Sequence, residues 1–356
     1  PEGRVWGSAE LLLWWTSGMN VPALLTTGTG PGNPGVLGRP GTTILFGDGV
    51  VNDLMRVGVR SRLGFWLDDC QTIGVEGSFF YLGEAETDFL HTCVVGDVVG
   101  RPFFNVNPAI NAQDAEIVCM PGVLSGSVLI QACTDFYGAD ANIRRNLCCN
   151  CESRVDFIGG FKYLHLADCL SIDETLVNLD PARAAVGAGF EIQDSFGTVN
   201  NFYGGQIGLA GECRNGQFFF DWRALLGLGA TVKRITIAGQ TTFFDPVVGG
   251  NPLVQPGGLL ALPSNIGTYQ FSDFSIVPEV NVNLGYSFTP NIRAYVGYSF
   301  MYWTNVARAG DQINLRIDDR QLPTRAGPGV GVDPRFVLVN NDFFAQGINF
   351  GIQLRY

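Results

Sequence analysis

Acid–base and nucleophilic catalysis rely on histidine more than on any other side chain, and this 356-residue chain has two, His91 and His165. His165 stands three residues before Asp168, but no nucleophile or metal motif accompanies the pair. The chain is therefore not expected to be an enzyme. Metal chemistry has one compact candidate, Cys148-Cys149-x-Cys151. It belongs to a set of nine cysteines: Cys70, Cys93, Cys119, Cys133, Cys148, Cys149, Cys151, Cys169 and Cys213. In an oxidising compartment such sulfurs favour disulfides over metal, and their spacing does not give the pairing. The carboxylates Asp318-Asp319 fall on an expected solvated loop, with weak calcium binding as their one alternative. The expected metals and cofactors are none.

The remaining chemistry lies in charges whose meaning depends on the face of the element that carries them. Only 15% of residues are charged, against about 25% in ordinary domains, while 46% are hydrophobic and 12% aromatic. Disorder is excluded by that balance. The net charge of −11 argues against nucleic acid as a partner, because such proteins carry a basic face. The longest apolar run, Leu11-Leu12-Leu13-Trp14-Trp15, falls far short of the ~20 residues a membrane helix needs. Glycine is abundant, 47 residues, without a collagen period. No signal peptide is visible at Pro1.

Helical periodicity is nearly absent and period-two alternation recurs. From Phe344 to Tyr356 the even positions are mostly apolar and the odd ones small or polar. The segments Val280–Phe288, Ile292–Tyr302 and Val57–Leu67 divide the same way. Connections alternate between tight turns (Asp68-Asp69-Cys70-Gln71, Cys149-Asn150-Cys151-Glu152, Arg214-Asn215-Gly216-Gln217, Thr289-Pro290-Asn291) and long segments near 17–52, 86–138, 167–198, 238–271 and 306–340. Soluble domains seldom carry such loops. Outer-membrane barrels combine short turns on one side, long loops on the other, alternating faces and aromatic girdles. In lipid every backbone polar group must be paired internally, so strands cross only as a closed barrel. The expectation is an all-β, single-domain (1–356), closed antiparallel transmembrane barrel. Ten strands are expected near 4–16, 53–68, 71–85, 139–149, 153–166, 199–213, 216–234, 273–288, 291–305 and 341–356. Segments 169–178 and 189–195 form either an outer hairpin or an extra pair that makes twelve. Trp6, Trp14, Trp15, Trp66, Tyr81, Tyr163, Trp222, Tyr302, Trp303 and Tyr356 are expected near strand ends or on outer faces.

Several blocks then become recognisable. Gly64-Phe65-Trp66-Leu67-Asp68-Asp69-Cys70-Gln71 and Gly74-Val75-Glu76-Gly77-Ser78-Phe79-Phe80-Tyr81-Leu82-Gly83 resemble a hallmark of a planctomycete outer-membrane family, beta-barrel porin seven. Arg101–Asn105, Asn142–Cys149, Phe202–Gln206, Pro263–Gly267, Val277–Val280, Val296–Phe300 and Gln346–Gly351 resemble its later blocks, in order along nearly the whole chain. The terminal Tyr356 resembles the aromatic C-terminal signal of such barrels. The resemblance implies a barrel in the outer membrane, reached after removal of a signal peptide not present in this chain. It implies no catalytic motif.

With the apolar face toward lipid, the lumen-facing acids are Glu10, Glu76, Asp140, Asp156 and Asp221. The lumen-facing bases are Arg56, Arg60, Arg62, Arg144, Lys162, Arg223, Arg293 and Arg355. A lipid-facing Arg or Lys at the midplane costs about 2–4 kcal/mol, so their collection on one face supports the assignment. Arg145 is the misfit, placed either at the headgroups or beside a bulge. Cys93, Cys119, Cys133 and Cys169 fall in outside loops, where two disulfides would brace them; Cys70, Cys148, Cys149, Cys151 and Cys213 sit at the short-turn rim. Two functions stay open. One is porin-like passage of small solutes through a narrow arginine-rich lumen. The other is a non-conducting structural or surface-interaction barrel whose loops form a surface layer or bind neighbouring subunits. The expected partners are outer-membrane lipid and a homo-oligomer or surface assembly.

Overall fold

The computed structural model of the protein describes residues 4–150, 152–245, 252–325 and 331–356. Among the described residues, ten strands have eleven residues or more. We number them β1 (Val5–Thr16), β2 (Arg56–Trp66), β3 (Ile73–Thr92), β4 (Leu124–Cys149), β5 (Ser153–Asn178), β6 (Gly189–Asn215), β7 (Phe218–Phe244), β8 (Gly267–Ser287), β9 (Ile292–Val306) and β10 (Asn341–Arg355). Their pairing order is β6-β5-β4-β3-β2-β1-β10-β9-β8-β7, all antiparallel, and β6 also pairs with β7. Each strand thus has two hydrogen-bonded neighbours. Among the described residues no helix is long and apolar enough to cross a membrane, which leaves open crossing by strands.

Tight connections fall where the turn residues put them. At Asn215-Gly216 between β6 and β7, Gly216 has φ +62°, the left-handed geometry that two-residue hairpin loops require. At the other end, the strands run well beyond the expected limits. β3 reaches Thr92, β4 begins at Leu124, and β5 through β7 have 26 or 27 residues. The segments 169–178 and 189–195 are neither a separate hairpin nor an extra pair. They are the outer ends of β5 and β6, in register up to Val177 opposite Gly189. The expected loop at 167–198 therefore shrinks to 179–188, and much of 86–138 and 238–271 is strand.

The reason is an exchange of faces along each long strand. On β5 the outward residues Phe157 and Phe161 are exposed apolar groups, while Asp156 and Lys162 point inward and are buried. Past Tyr163 the inward residues become Leu164, Leu166, Leu170, Ile172 and Leu176, all buried, and His165, Ser171 and Asp173 point outward. β7 changes after Val232: Phe218, Phe220, Leu226, Leu228 and Val232 lie outside below it, Arg234 and Thr236 above. On β3 the change coincides with a register shift between Leu82 and Ala85, opposite Phe136 and Thr134, after which Glu84, Glu86 and Asp88 are exposed. Tyr81, Tyr137, Tyr163 and Tyr203 sit in neighbouring registers at this level. The Tyr163 and Tyr203 rings are 5.3 Å apart. Amphipathic rings favour a boundary between apolar and aqueous surroundings.

Above that belt, the long connections fold inward. Leu25–Thr27, Ile44–Phe46, Val99–Asn105, Ala112–Cys119 and Arg316–Ile317 make a second sheet. Its Leu25, Val99, Phe103 and Val118 pack against inward Val128, Ile130, Leu170, Ile172, Phe196 and Ile235 of β4–β7. Each such side chain contributes about 1.5–3 kcal/mol on burial. Trp6 and Trp66 lie at strand ends, as expected, but none of Trp6, Trp14, Trp66 and Trp303 is on an outer face; all four are buried. Their parity explains it, since Trp14 shares its side of β1 with Glu10 and Leu12.

Candidate functional site

None of the thirteen charged residues singled out from strand parity is fully exposed. Glu10, Arg56, Arg60, Glu76, Asp156, Lys162, Arg223 and Arg293 are buried, and Arg62, Asp140, Arg144, Asp221 and Arg355 are partly so. They sit among partners. Arg60 Nε donates to Glu10 Oε2 at 2.8 Å, and Tyr295 Oη donates to Glu10 Oε1 at 2.9 Å. Glu76 pairs with Arg223 and lies 3.4 Å from Arg144. Asp156 accepts from Arg144 at 2.6 Å and from Arg154 at 2.9 Å. Lys162 pairs with Glu279. Asp140 accepts from Asn142 at 2.6 Å and Asp221 from Asn283 at 2.7 Å. Arg293 and Arg355 converge on Glu212 at 3.0 and 2.6 Å, together with Arg214. Arg56 donates to the carbonyls of Gly83 and Thr134 at 2.7 and 2.8 Å. Arg62 Nε has no hydrogen-bond partner. Arg145 faces outward near the short-turn rim, and the β-bulge follows it at Asn146–Cys148.

Glu212, Glu279, Arg154 and Arg214 were missed from the sequence. The first two were legible by parity: Glu279 shares the face of Asn281 and Asn283, and Glu212 that of Gln206 and Ala210. Inward glycines do not leave open space. A Cβ at Gly285 would meet Phe219, at Gly297 Asn283, at Gly347 Trp14 and at Gly351 Tyr295. Each glycine makes room for a neighbouring ring or amide.

Beyond this polar layer lies an apolar one that the sequence did not announce. Leu12 and Trp14 of β1, Phe80 and Leu82 of β3, Phe136 of β4, Leu164 of β5, Phe202 of β6, Val277 of β8, Met301 and Trp303 of β9 and Phe343 of β10 form one cluster. Trp14, Phe136, Phe202, Trp303 and Phe343 are each 0% exposed. Phe136 sits edge-on to Phe80 at 5.1 Å and to Phe343 at 4.7 Å. Both indoles are satisfied, Trp303 Nε1 donating to Thr231 at 2.8 Å and Trp14 Nε1 to Asn349 at 3.3 Å. Full burial with a partnered N–H is the low-energy state of tryptophan in a core.

Above the apolar layer, two more buried charge groups fix the connections to the strands. Arg308 donates through Nε and Nη2 to Asp168 at 2.6 and 3.2 Å, and through Nη1 to the carbonyls of Ser17 and Gly18. Arg101 lies between Glu174 at 3.0 Å and Asp194 at 2.7 Å. Beside it, burial pushes the Glu116 carboxyl up to about 8, with Glu174 adding to the rise. His165 and Asp168 are on opposite faces of β5: the imidazole stacks on Tyr137 at 4.5 Å and Asp168 is inward with Arg308. His91, Asp97 and Cys119 are close together, but the Cys119 sulfur is already bonded to Cys93. Asp318 and Asp319 are paired with Arg320 and Arg325.

The cysteines divide by end. Cys93–Cys119 and Cys133–Cys169 are disulfides, the second joining directly opposed residues of β4 and β5. Cys70, Cys148, Cys149 and Cys213 are free and exposed at the short-turn rim. Cys151, and with it the third sulfur of the Cys148-Cys149-x-Cys151 motif, lies outside the described residues.

No curated protein matches the chain. Among solved structures, the outer-membrane protease OmpT of Escherichia coli aligns over 99% of this chain and 96% of its own at 11% identity, with a TM-score of 0.46. The CymD monoaromatic hydrocarbon channel aligns over 100% and 89% at 7% identity and a TM-score of 0.24. A Pseudomonas aeruginosa FadL homologue aligns over 99% and 90% at 7% identity and a TM-score of 0.24. The family described as Putative beta barrel porin-7 matches residues 6–356, and the chain belongs to that beta barrel porin family.

Proposed function

We propose that the ten strands close into a transmembrane barrel of the outer membrane whose interior is filled, and that the protein is a non-conducting surface barrel. It holds a folded, disulfide-braced cap outside the bilayer as a platform for neighbouring subunits or a surface layer. The observation that carries this reading is the apolar layer. Eight of the ten strands contribute side chains of 0% exposure, so water does not reach them, and an ion crossing there would lose its hydration at a cost of many kcal/mol. At the short-turn floor, the cavity between Trp6, Trp66, Arg144, Arg154 and Glu212 holds about 50 Å³, room for a water or two.

The membrane reading is supported by the inverted lower half. Exposed apolar residues such as Val59, Phe79, Phe161, Ile207, Leu228, Leu284 and Phe350 form its outer surface, and the buried charges lie within. The 26 or 27 residues of β4–β7 far exceed the 9–11 that cross a bilayer. The surplus carries polar outward faces and stands in water. Passage through an arginine-lined lumen is the competing reading, favoured by the excess of arginine in the polar layer, but most of those arginines have carboxylate partners. Liposome swelling separates the two. Vesicles containing folded protein are expected to swell in sugar or amino-acid solutions no faster than empty vesicles; rapid swelling overturns the filled-barrel reading.

A further inference from the structure

The outer mouth holds a cavity of about 820 Å³ among the ends of β5, β6 and β7 and the Ala112–Cys119 strand, within the range of small-molecule sites. Its walls are largely apolar, with inward Leu176, Phe190 and Phe243 contributing the broad surfaces. Phe190 and Phe243 meet edge-to-face at 5.5 Å. Polar groups in the lining are Asn178, Arg183, Asp245, Thr324 and Glu116, and Glu116 differs from the rest in its surroundings. Its Oε2 is shielded from water and has no hydrogen-bond partner among the described residues, a condition that destabilises a buried polar group.

The surrounding charges cannot supply the missing partner. Arg101, opposite Glu116 in register, is taken up by Glu174 and Asp194. Asp194 also accepts the backbone N–H groups of Leu260 and Ala261 at 2.9 and 2.8 Å. Arg183 pairs with Asp180 and Arg325 with Asp319. Glu174 Oε1 is likewise without a partner. Arg101 is thus committed to two carboxylates, and the neighbouring Glu116 faces the apolar chamber without a cation of its own among the described residues.

We propose that this outer mouth binds an amphipathic amine, its apolar body against Leu176, Phe190 and Phe243 and its ammonium on Glu116. The site is independent of whether the barrel conducts. In the empty protein Glu116 meets its desolvation by keeping a proton, which is why its pKa rises to about 8. An arriving ammonium takes that proton's place: the carboxylic acid becomes a carboxylate paired to the ligand, and the proton goes to solvent.

The test uses the full chain in a non-ionic detergent and three indole probes of one shape: tryptamine, the neutral tryptophol and the anionic indole-3-acetate. Calorimetry at pH 7, in buffers of different ionisation heat, gives affinity and proton release together. Tryptamine is expected to bind about tenfold or more tighter than tryptophol, a difference of about 1.4 kcal/mol for a charge-assisted bond. It should release close to one proton. Glu116→Gln should remove both the preference and the release. Ala188→Trp, which places an indole in the cavity, should weaken tryptamine binding while heat-dependent gel migration reports an intact fold. Equal affinity for the three probes, tryptamine binding unchanged in Glu116→Gln, or no tryptamine binding by folded protein would each overturn the site.

Discussion

Arg60 shows what a buried charge does in this interior. Its guanidinium holds Glu10, and its second arm reaches Ser299 Oγ at 3.1 Å, so its charge is committed to the wall. Removing one partner of such a pair costs about 3–5 kcal/mol because the other is left buried and alone. Arg60→Ala should therefore lower the temperature at which the folded band disappears from detergent gels, whereas Arg60→Met with Glu10→Gln should recover most of the loss. Replacing Arg60 and Arg62 by Glu is expected to block folding instead of changing an ion preference. Glu116 makes a pH prediction. Its folded pKa of about 8 lies above the ordinary 4.5, so the folded state binds the extra proton between those values. Stability is then highest below 4.5 and falls as pH rises through about 8. Protease resistance of the cap should decline over that window, and Glu116→Gln should flatten the decline. Parity alone singled out thirteen charges, all of them buried or half-buried. It did not reach Arg101, which was read as loop, or Glu174 and Asp194, whose segments were read as an outer hairpin or an extra strand pair without their charges being assigned a face.

The lower strand ends, the tight turns and the alternation of lower faces were legible because lipid and turn chemistry impose strict patterns on them. The upper strand ends were not. Above the tyrosine belt period two continues, but polar Asp, Ser and Thr move outward and Leu, Ile and Phe inward, so a reader expecting a greasy outer face sees loop. The apolar layer was hidden for the same reason: Leu12 and Trp14 belong to the longest apolar run of the sequence, which masks their separation from Leu11, Leu13 and Trp15. That layer has a measurable strength. Trp303→Ala should cost about 3–5 kcal/mol, read from unfolding in lipid. The disulfides should differ. Cys93–Cys119 closes a separation of 26 residues between β3 and the cap; chain entropy puts its loss at about 3.5 kcal/mol. Cys133–Cys169 joins strands already zipped along their length, so its loss should be smaller. Replacing each pair by serine and following limited proteolysis of the cap checks the order.

In the proposed barrel one chain serves two solvents. In the lower half the apolar groups face out and the charges in, and in the upper half the order reverses around a core that the connections complete. The net charge of −11 averages over both: near the polar layer most bases have acids, while exposed Glu84, Glu86 and Asp88 lie on the outer wall above the belt. Low total charge and high glycine follow from the same division, since lipid-facing positions exclude charge and inward glycines seat aromatic rings. The claim on which this picture depends is that side chains seal the interior between the halves. Single-channel recording in a planar bilayer addresses it directly, with the purified protein beside a variant carrying Trp14→Ala, Phe136→Ala and Trp303→Ala. The wild-type protein is predicted to stay silent after insertion, and the folded variant to open a steady conductance. A steady conductance from the wild-type protein, unchanged by the three substitutions, would contradict the account.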